Sequence, residues 1–213
     1  MKLYGAALSP YSARVMLAIR AKGLEIPLVD PPGGQKSAAF LALNPMGKTP
    51  VLDADGAVVI ESAVICEFLE DAFPDPALLP AQPAARAAQR TVARLLDLYV
   101  LPPLLSLMAQ TGDSTINAAR LDKLTRGLDA LEAVVSRTPL PAPAPTTLSL
   151  ADCALAPTLL FLERFLPRYS QEDLLAKRPA LAALWTAYAS HPLVTPVARE
   201  MERALEAFGQ RRG

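Results

Sequence analysis

Histidine occurs once in the 213 residues, at His191, and cysteine only twice, at Cys66 and Cys153. So small a supply leaves no His/Cys cluster for a zinc site and no disulfide framework, and no metal cofactor is expected. Both cysteines fall in apolar, helix-like stretches and are expected as reduced core thiols, which fits a reducing compartment and a cytoplasmic location. His191 precedes Pro192 in a loop and is given no catalytic role, although histidine is otherwise the commonest general base. Net charge is missing too: 21 acidic residues balance 21 basic ones, and the basic ones are scattered. The electrostatic footprint of a nucleic-acid binder is therefore absent, and an anionic ligand must be held by local groups. The longest greasy run, around residues 95–109, contains Asp97 and the pair Pro102 and Pro103. It falls short of the roughly 20 residues that span a bilayer, so no membrane partner is expected. The N-terminal apolar stretch is interrupted by Ser9, Pro10, Tyr11, Ser12 and Arg14, too early for a signal-peptide core, and is expected to be mature protein.

What the chain does have is apolar mass: 52% of its residues are hydrophobic, enough for a sizeable core or two cores sharing an interface. The first eighty residues alternate strand-like and helical runs. Residues 2–5 read as a strand, 11–22 as a helix stopped at Gly23, and 26–29 as a second strand. A short helix near 37–43 follows the Pro31, Pro32, Gly33, Gly34 loop. Residues 49–52 and 58–60 then flank a hairpin turn at 53–56, and Ser62 is expected to cap a helix with Ile65, Phe68, Leu69 and Ala72 on one face. A βαβ unit followed by a ββα unit is the thioredoxin-like arrangement, with 73–82 as the way out of it. Beyond Gln82 only helical periodicity remains, which divides the chain into an α/β domain over 1–80 and an all-helical domain over 83–213. Helices are expected over 83–110, bent or broken at Pro102 and Pro103, and over 115–136. The proline–alanine stretch 139–145 is an extended crossover, and Ser149 with Asp152 opens a capping box before the apolar run 154–165. Final helices fall near 179–189 and 194–208.

Three short segments carry candidate chemistry. SPYSARV, residues 9–15, places two hydroxyls where a strand ends and a helix begins. Free N–H groups and the helix dipole at such a point stabilise an anion, and a hydroxyl hydrogen aimed at a thiolate lowers its pKa. Ser9 is equally suited to capping the helix. NPMGKTPVL, residues 44–52, puts Pro50 at the mouth of a strand. A cis bond after Thr49 would let Val51 pair with the main chain of a peptide-like ligand, whereas a trans proline at a strand start is the ordinary alternative. In ESAVICEFLE, residues 61–70, Ser62 at a positive helix end suits a carboxylate and Glu61 an ammonium, the two charges of an α-amino acid. Read plainly, they are a cap and a solvated charge.

Taken in order, these segments and SLADCALAP, residues 149–157, resemble the glutathione transferase family over almost the whole chain. The resemblance implies a glutathione transferase fold, glutathione as co-substrate, and a homodimer. In the serine-type classes the activating hydroxyl lies five residues before the motif arginine, which makes it Ser9 relative to Arg14, with Ser12 a neighbour. It further implies that Pro50 and Val51 hold the cysteinyl backbone, Glu61 and Ser62 the γ-glutamyl head, and Lys48 the glycyl carboxylate, with Gln35 and Lys36 weaker matches near the glycyl end. Ser149 and Asp152 match the family's folding element.

A serine in the turn, and no cysteine, argues against thiol-transferase members that form a mixed disulfide there. Zeta-type isomerases carry a loop richer in serine and cysteine than SPYSARV, so isomerisation ranks behind conjugation of the glutathione thiolate to a small apolar electrophile. Peroxide reduction and a non-enzymatic binding role are the other readings. The electrophile is expected between the domains, against Leu8, Tyr11, Tyr99, Leu104 and Met108, although core packing is the bland alternative for each. Tyr4, on the first strand, is expected to pack or line the rim.

Overall fold

The computed structural model describes residues 1–108, 113–138, 140, 143, 144 and 146–210. Its first half follows the expected order: β1 (Lys2–Tyr4), α1 (Pro10–Ala21), β2 (Leu28–Val29), α2 (Ala38–Leu43), β3 (Val51–Ala54), β4 (Ala57–Ile60) and α3 (Ser62–Ala72). The sheet runs β2-β1-β3-β4, with β1 parallel to β2 and each of the other pairs antiparallel. Alternation along β1 sends Leu3 into the main core and Tyr4 to the opposite face, where it meets Phe40 of α2 edge to face at 6.3 Å beside Val51. Tyr4 is thus a packing residue.

Local chemistry accounts for the ends of α1. The Ser9 hydroxyl accepts from the Ser12 N–H at the start, Pro10 occupies the first turn, and Gly23, at φ 64°, takes the left-handed conformation that ends the helix. Leu24 N–H then bonds Ile19 O and Gly23 N–H bonds Arg20 O, the paired closure of a Schellman motif.

The second half is helical: α4 (Pro83–Leu95), a π turn (Leu96–Val100), α5 (Leu101–Met108), α6 (Ser114–Val135), α7 (Leu150–Phe165), a 3₁₀ turn (Leu166–Arg168), α8 (Pro179–Ala189) and α9 (Val194–Gln210). Of the bend or break expected at Pro102 and Pro103, the break is not there. The helical run continues through both prolines, and the irregularity sits one turn earlier, as a π turn in which the Leu101 N–H bonds the Leu96 carbonyl. Gly127 of α6 makes room for it, since a Cβ there would stand 2.0 Å from the Tyr99 carbonyl oxygen. As one run, Pro83–Met108 has 26 residues and a window of mean hydropathy 1.4, so length and composition alone no longer separate it from a spanning helix. It packs on α6 and α7. The end of this helix expected at residues 109–110 and much of the 139–145 crossover lie outside the described residues.

One continuous apolar core joins the halves through α1 against α7. The capping box forms as expected: Ser149 Oγ accepts from Asp152 N–H, and Asp152 accepts from Ser149 N–H at 2.7 Å and from the buried Tyr188 hydroxyl. The connection between α3 and α4 is tied down by an ion pair that local sequence does not signal. Lys22 and Glu70 meet at 2.7 Å in the interior; Lys22 donates to the Phe73 and Pro76 carbonyls, and Glu70 accepts from the Leu78 and Leu79 N–H groups. His191 is also structural, with Nδ1 accepting from Leu193 N–H and Nε2 against the Ala144 carbonyl.

Candidate functional site

The turn from β1 into α1 is built around a buried Ser12, whose Oγ accepts from the Ala6 N–H. Gly5 must lack a side chain here, because a Cβ would lie 2.8 Å from that oxygen and 2.7 Å from Leu28. With Ser12 enclosed, Ser9 is the half-exposed hydroxyl at the head of α1. Its oxygen caps the helix, and among the described residues its own hydrogen has no acceptor. The two alternatives posed by the sequence are therefore compatible: a capping oxygen still has a hydrogen to donate.

The Thr49–Pro50 bond is cis, and Val51 begins β3 in register with Tyr4 and Ile60. The loop before it is held by Asn44, which is buried, donates to the Lys48 carbonyl at 2.8 Å and accepts from the Met46 N–H. Gln35 reaches the rim by donating to the Thr49 hydroxyl at 3.0 Å, whereas Lys36 is simply exposed.

At the head of α3 the expected Ser62 cap is not formed. Glu61 occupies the capping position with no side-chain cap, and its φ of 69° with ψ 117° is a conformation that side chains rarely adopt. Ser62 lies inside the first turn, 7% exposed, and its Oγ accepts from Arg14 Nη1 at 3.4 Å. Arg14 is the centre of this corner. Its guanidinium grips Asp97 of the π turn at two points, 2.6 and 3.0 Å, and stands 5.8 Å from the Tyr11 ring. Burial presses the Arg14 pKa down, but the Asp97 carboxylate outweighs it and the value rises. Burial first, then the charge of Asp97, raises Tyr11. In the sequence Arg14 stands out only as a motif marker and Asp97 only as an acid in a greasy helix; an acid in such a run, needing a partner, is the signal that points to the pair.

These groups surround a cavity of about 300 Å³ lined by Tyr11, Lys48, Pro50, Glu61, Ser62 and, from the helical half, Arg94 and Asp97. Ser9, Val51, Gln35 and Lys36 are not among its lining residues; Val51 follows Pro50 in the chain and Gln35 donates to Thr49, both of which line it. The electrophile site expected from sequence is not assembled. Leu104 is fully buried, Leu8 and Met108 are half-buried against the core, Tyr11 lines the polar cavity, and Tyr99 lines a separate apolar cavity of about 720 Å³ between α4, α5 and α6. Helical phase explains the miss: Tyr99 and Leu104, five residues apart at about 100° each, face different sides. Cys66 and Cys153 are both free and buried; burial pushes the Cys66 thiol up to about 12 and Cys153 upward as well, so neither is a nucleophile. Among the described residues no three His, Cys, Asp or Glu side chains gather as metal ligands.

Family profiles for the glutathione S-transferase N-terminal domain and C-terminal domain match residues 3–77 and 113–184. The chain is 33% identical to a maleylacetoacetate isomerase of Rattus norvegicus across 91% of this chain and 93% of that protein. The chain belongs to the glutathione S-transferase family. It is also 33% identical to a maleylpyruvate isomerase of Ralstonia sp, over 78% of this chain and 84% of the relative. Among solved structures, a bacterial zeta-class glutathione S-transferase described as maleyl pyruvate isomerase superposes with a TM-score of 0.75 at 30% identity, covering 94% of this chain and 98% of that one. The glutathione S-transferase fold, with its thioredoxin-like sheet domain and helical C-terminal domain, is that of this chain.

Proposed function

We propose that this chain is a glutathione-dependent isomerase acting on a cis double bond conjugated to carbonyl groups, of the kind the word maleyl denotes. What carries the reading is identity of 33% to maleylacetoacetate isomerase along nearly the whole chain, together with a corner that fits the tripeptide. The fit is chemical. Ser62, at the positive end of α3 with its hydrogen unassigned among the described residues, suits the head-group carboxylate. Glu61, free of ion pairs there, suits the ammonium, and Lys48 the glycyl carboxylate. The strain held at Glu61 places its side chain over this corner at a cost of about 1–3 kcal/mol, as functional sites do. Val51 and Pro50 hold the cysteinyl backbone and Gln35 and Lys36 border the glycyl end.

Bound glutathione supplies a thiolate that adds reversibly to the alkene, which rotates while its bond is single before the sulfur leaves unchanged. Ser9 donates its hydrogen to the sulfur, and the N-terminus of α1 adds its positive dipole, so the anion is present at neutral pH. Residues 1–80 form the glutathione-binding half, and residues 83–213 bring the second substrate. We also place the enzyme in the cytoplasm as a homodimer, which would cover the exposed apolar side chains of Leu98, Tyr99 and Ile116.

Incubation with glutathione and maleylpyruvate tests the reading. Cis-to-trans conversion that requires glutathione and returns it in full is expected. Stoichiometric loss of glutathione to a thioether would instead favour the second reading, conjugation to an apolar electrophile, which the cysteine-free SPYSARV turn keeps in play. Light scattering showing a monomer would remove the dimer.

A further inference from the structure

Arg94 is an exposed residue of α4 that lines the polar cavity, and among the described residues it has no hydrogen bond and no ion pair. Its helix neighbours show that partners were available to others. Arg90, one turn before it, is held by Glu67 at 2.6 Å, and Asp97, three residues after it, is taken at two points by Arg14. A guanidinium with its fork of donors unused, facing a cavity, is an anion site in waiting.

The charges around the cavity give the stoichiometry. Lys48 and Arg94 are two cations; of the two acids, Asp97 is neutralised by Arg14 and Glu61 is left. Glutathione carries two carboxylates and one ammonium beside its thiol, the complement of two cations and one anion. Position decides which carboxylate goes where. Arg94 sits one turn from Asp97, whose partner Arg14 also donates to Ser62, which ties it to the Ser62 end; Lys48 is carried by the separate Asn44–Thr49 loop, where Asn44 holds its carbonyl. Ser62 is itself more than nine-tenths buried, with a hydroxyl hydrogen that has no acceptor among the described residues.

We propose that Arg94 is a glutathione-binding residue contributed by the helical half, clamping the α-carboxylate of the γ-glutamyl head together with Ser62. This deepens the glutathione reading and rests on it. It makes head-group recognition a joint act of both halves: Ser62 and Glu61 come from the sheet domain and Arg94 from the helices.

Titration calorimetry with two ligands tests it: glutathione, and the analogue in which 4-aminobutyrate replaces the γ-glutamyl residue so that only the α-carboxylate is lost. Arg94→Gln should weaken glutathione binding by about ten- to hundredfold, the scale of a charge-assisted contact, and leave the analogue within about twofold of the unmodified enzyme. Equal weakening of both ligands, or no weakening of either, would overturn the assignment while leaving the glutathione reading intact. An unmodified protein that binds no glutathione would instead bring down that reading and the assignment with it.

Discussion

Arg14 of α1 and Asp97 of the π turn face each other across the junction of the two halves as a buried two-point ion pair, with the Ser62 hydroxyl on the same guanidinium. The pair joins the wall of the candidate site to the fold itself. Removing one partner leaves the other charge buried and uncompensated, so Asp97→Ala should destabilise by about 3–5 kcal/mol in denaturant unfolding. Replacing both, as Arg14→Met with Asp97→Leu, should cost much less than the two single changes summed, because no orphan charge remains. Additive losses would mean that the two residues act separately.

Glu61 holds a φ of 69° that glycine adopts without penalty. Glu61→Gly should therefore raise the unfolding free energy by about 1 kcal/mol while reducing retention on immobilised glutathione, the opposite signs expected where strain serves binding. Retention unchanged in this variant would remove Glu61 from the head-group site.

Gly127 lets α6 approach the Tyr99 carbonyl, and an added methyl would need the backbone to move. Gly127→Ala should lower stability by about 1–3 kcal/mol, although alanine is the better helix former by about 1 kcal/mol. A stabilised variant would show that the π turn yields without cost.

Buried Glu70 is pushed upward by its burial, but Lys22 and the Leu78 and Leu79 N–H groups outweigh this and hold its pKa below the usual glutamate value. A carboxylate depressed on folding contributes stability that is complete above its unfolded pKa, near 4.3, and that fades as pH falls through the folded value. Lys22→Met removes the ion pair, so its stability deficit should be largest near neutral pH and shrink below about pH 4 as Glu70 protonates. A deficit independent of pH would assign the loss to packing alone.

Much of this fold was legible in the chain. Gly23 as the stop of α1, the Ser149 and Asp152 box, Pro179 at the head of α8 and the strand–helix order of the first half are local signals, each set by a residue and its near neighbours. Lys48, Pro50, Glu61 and Ser62 line one cavity for the same reason, since each sits where a strand meets a loop or helix. What stayed hidden depends on distance in sequence. Arg14 meets Asp97 across 83 positions and Lys22 meets Glu70 in the interior, pairings no window can display. Tyr99 and Leu104, five residues apart on one helical run, point to different sides, so Leu104 turns inward and Tyr99 outward.

The proposed chemistry requires that the head of α1 stabilise the thiolate of glutathione through Ser9. Following the ultraviolet absorbance of bound thiolate against pH measures this directly. The thiol of glutathione on the unmodified enzyme should titrate well below its ordinary range near 8.5, and in Ser9→Ala it should move back toward that range, with the turnover rate falling about tenfold to a thousandfold. A bound thiol that titrates as it does free in solution, or one unmoved by Ser9→Ala, would contradict the claim.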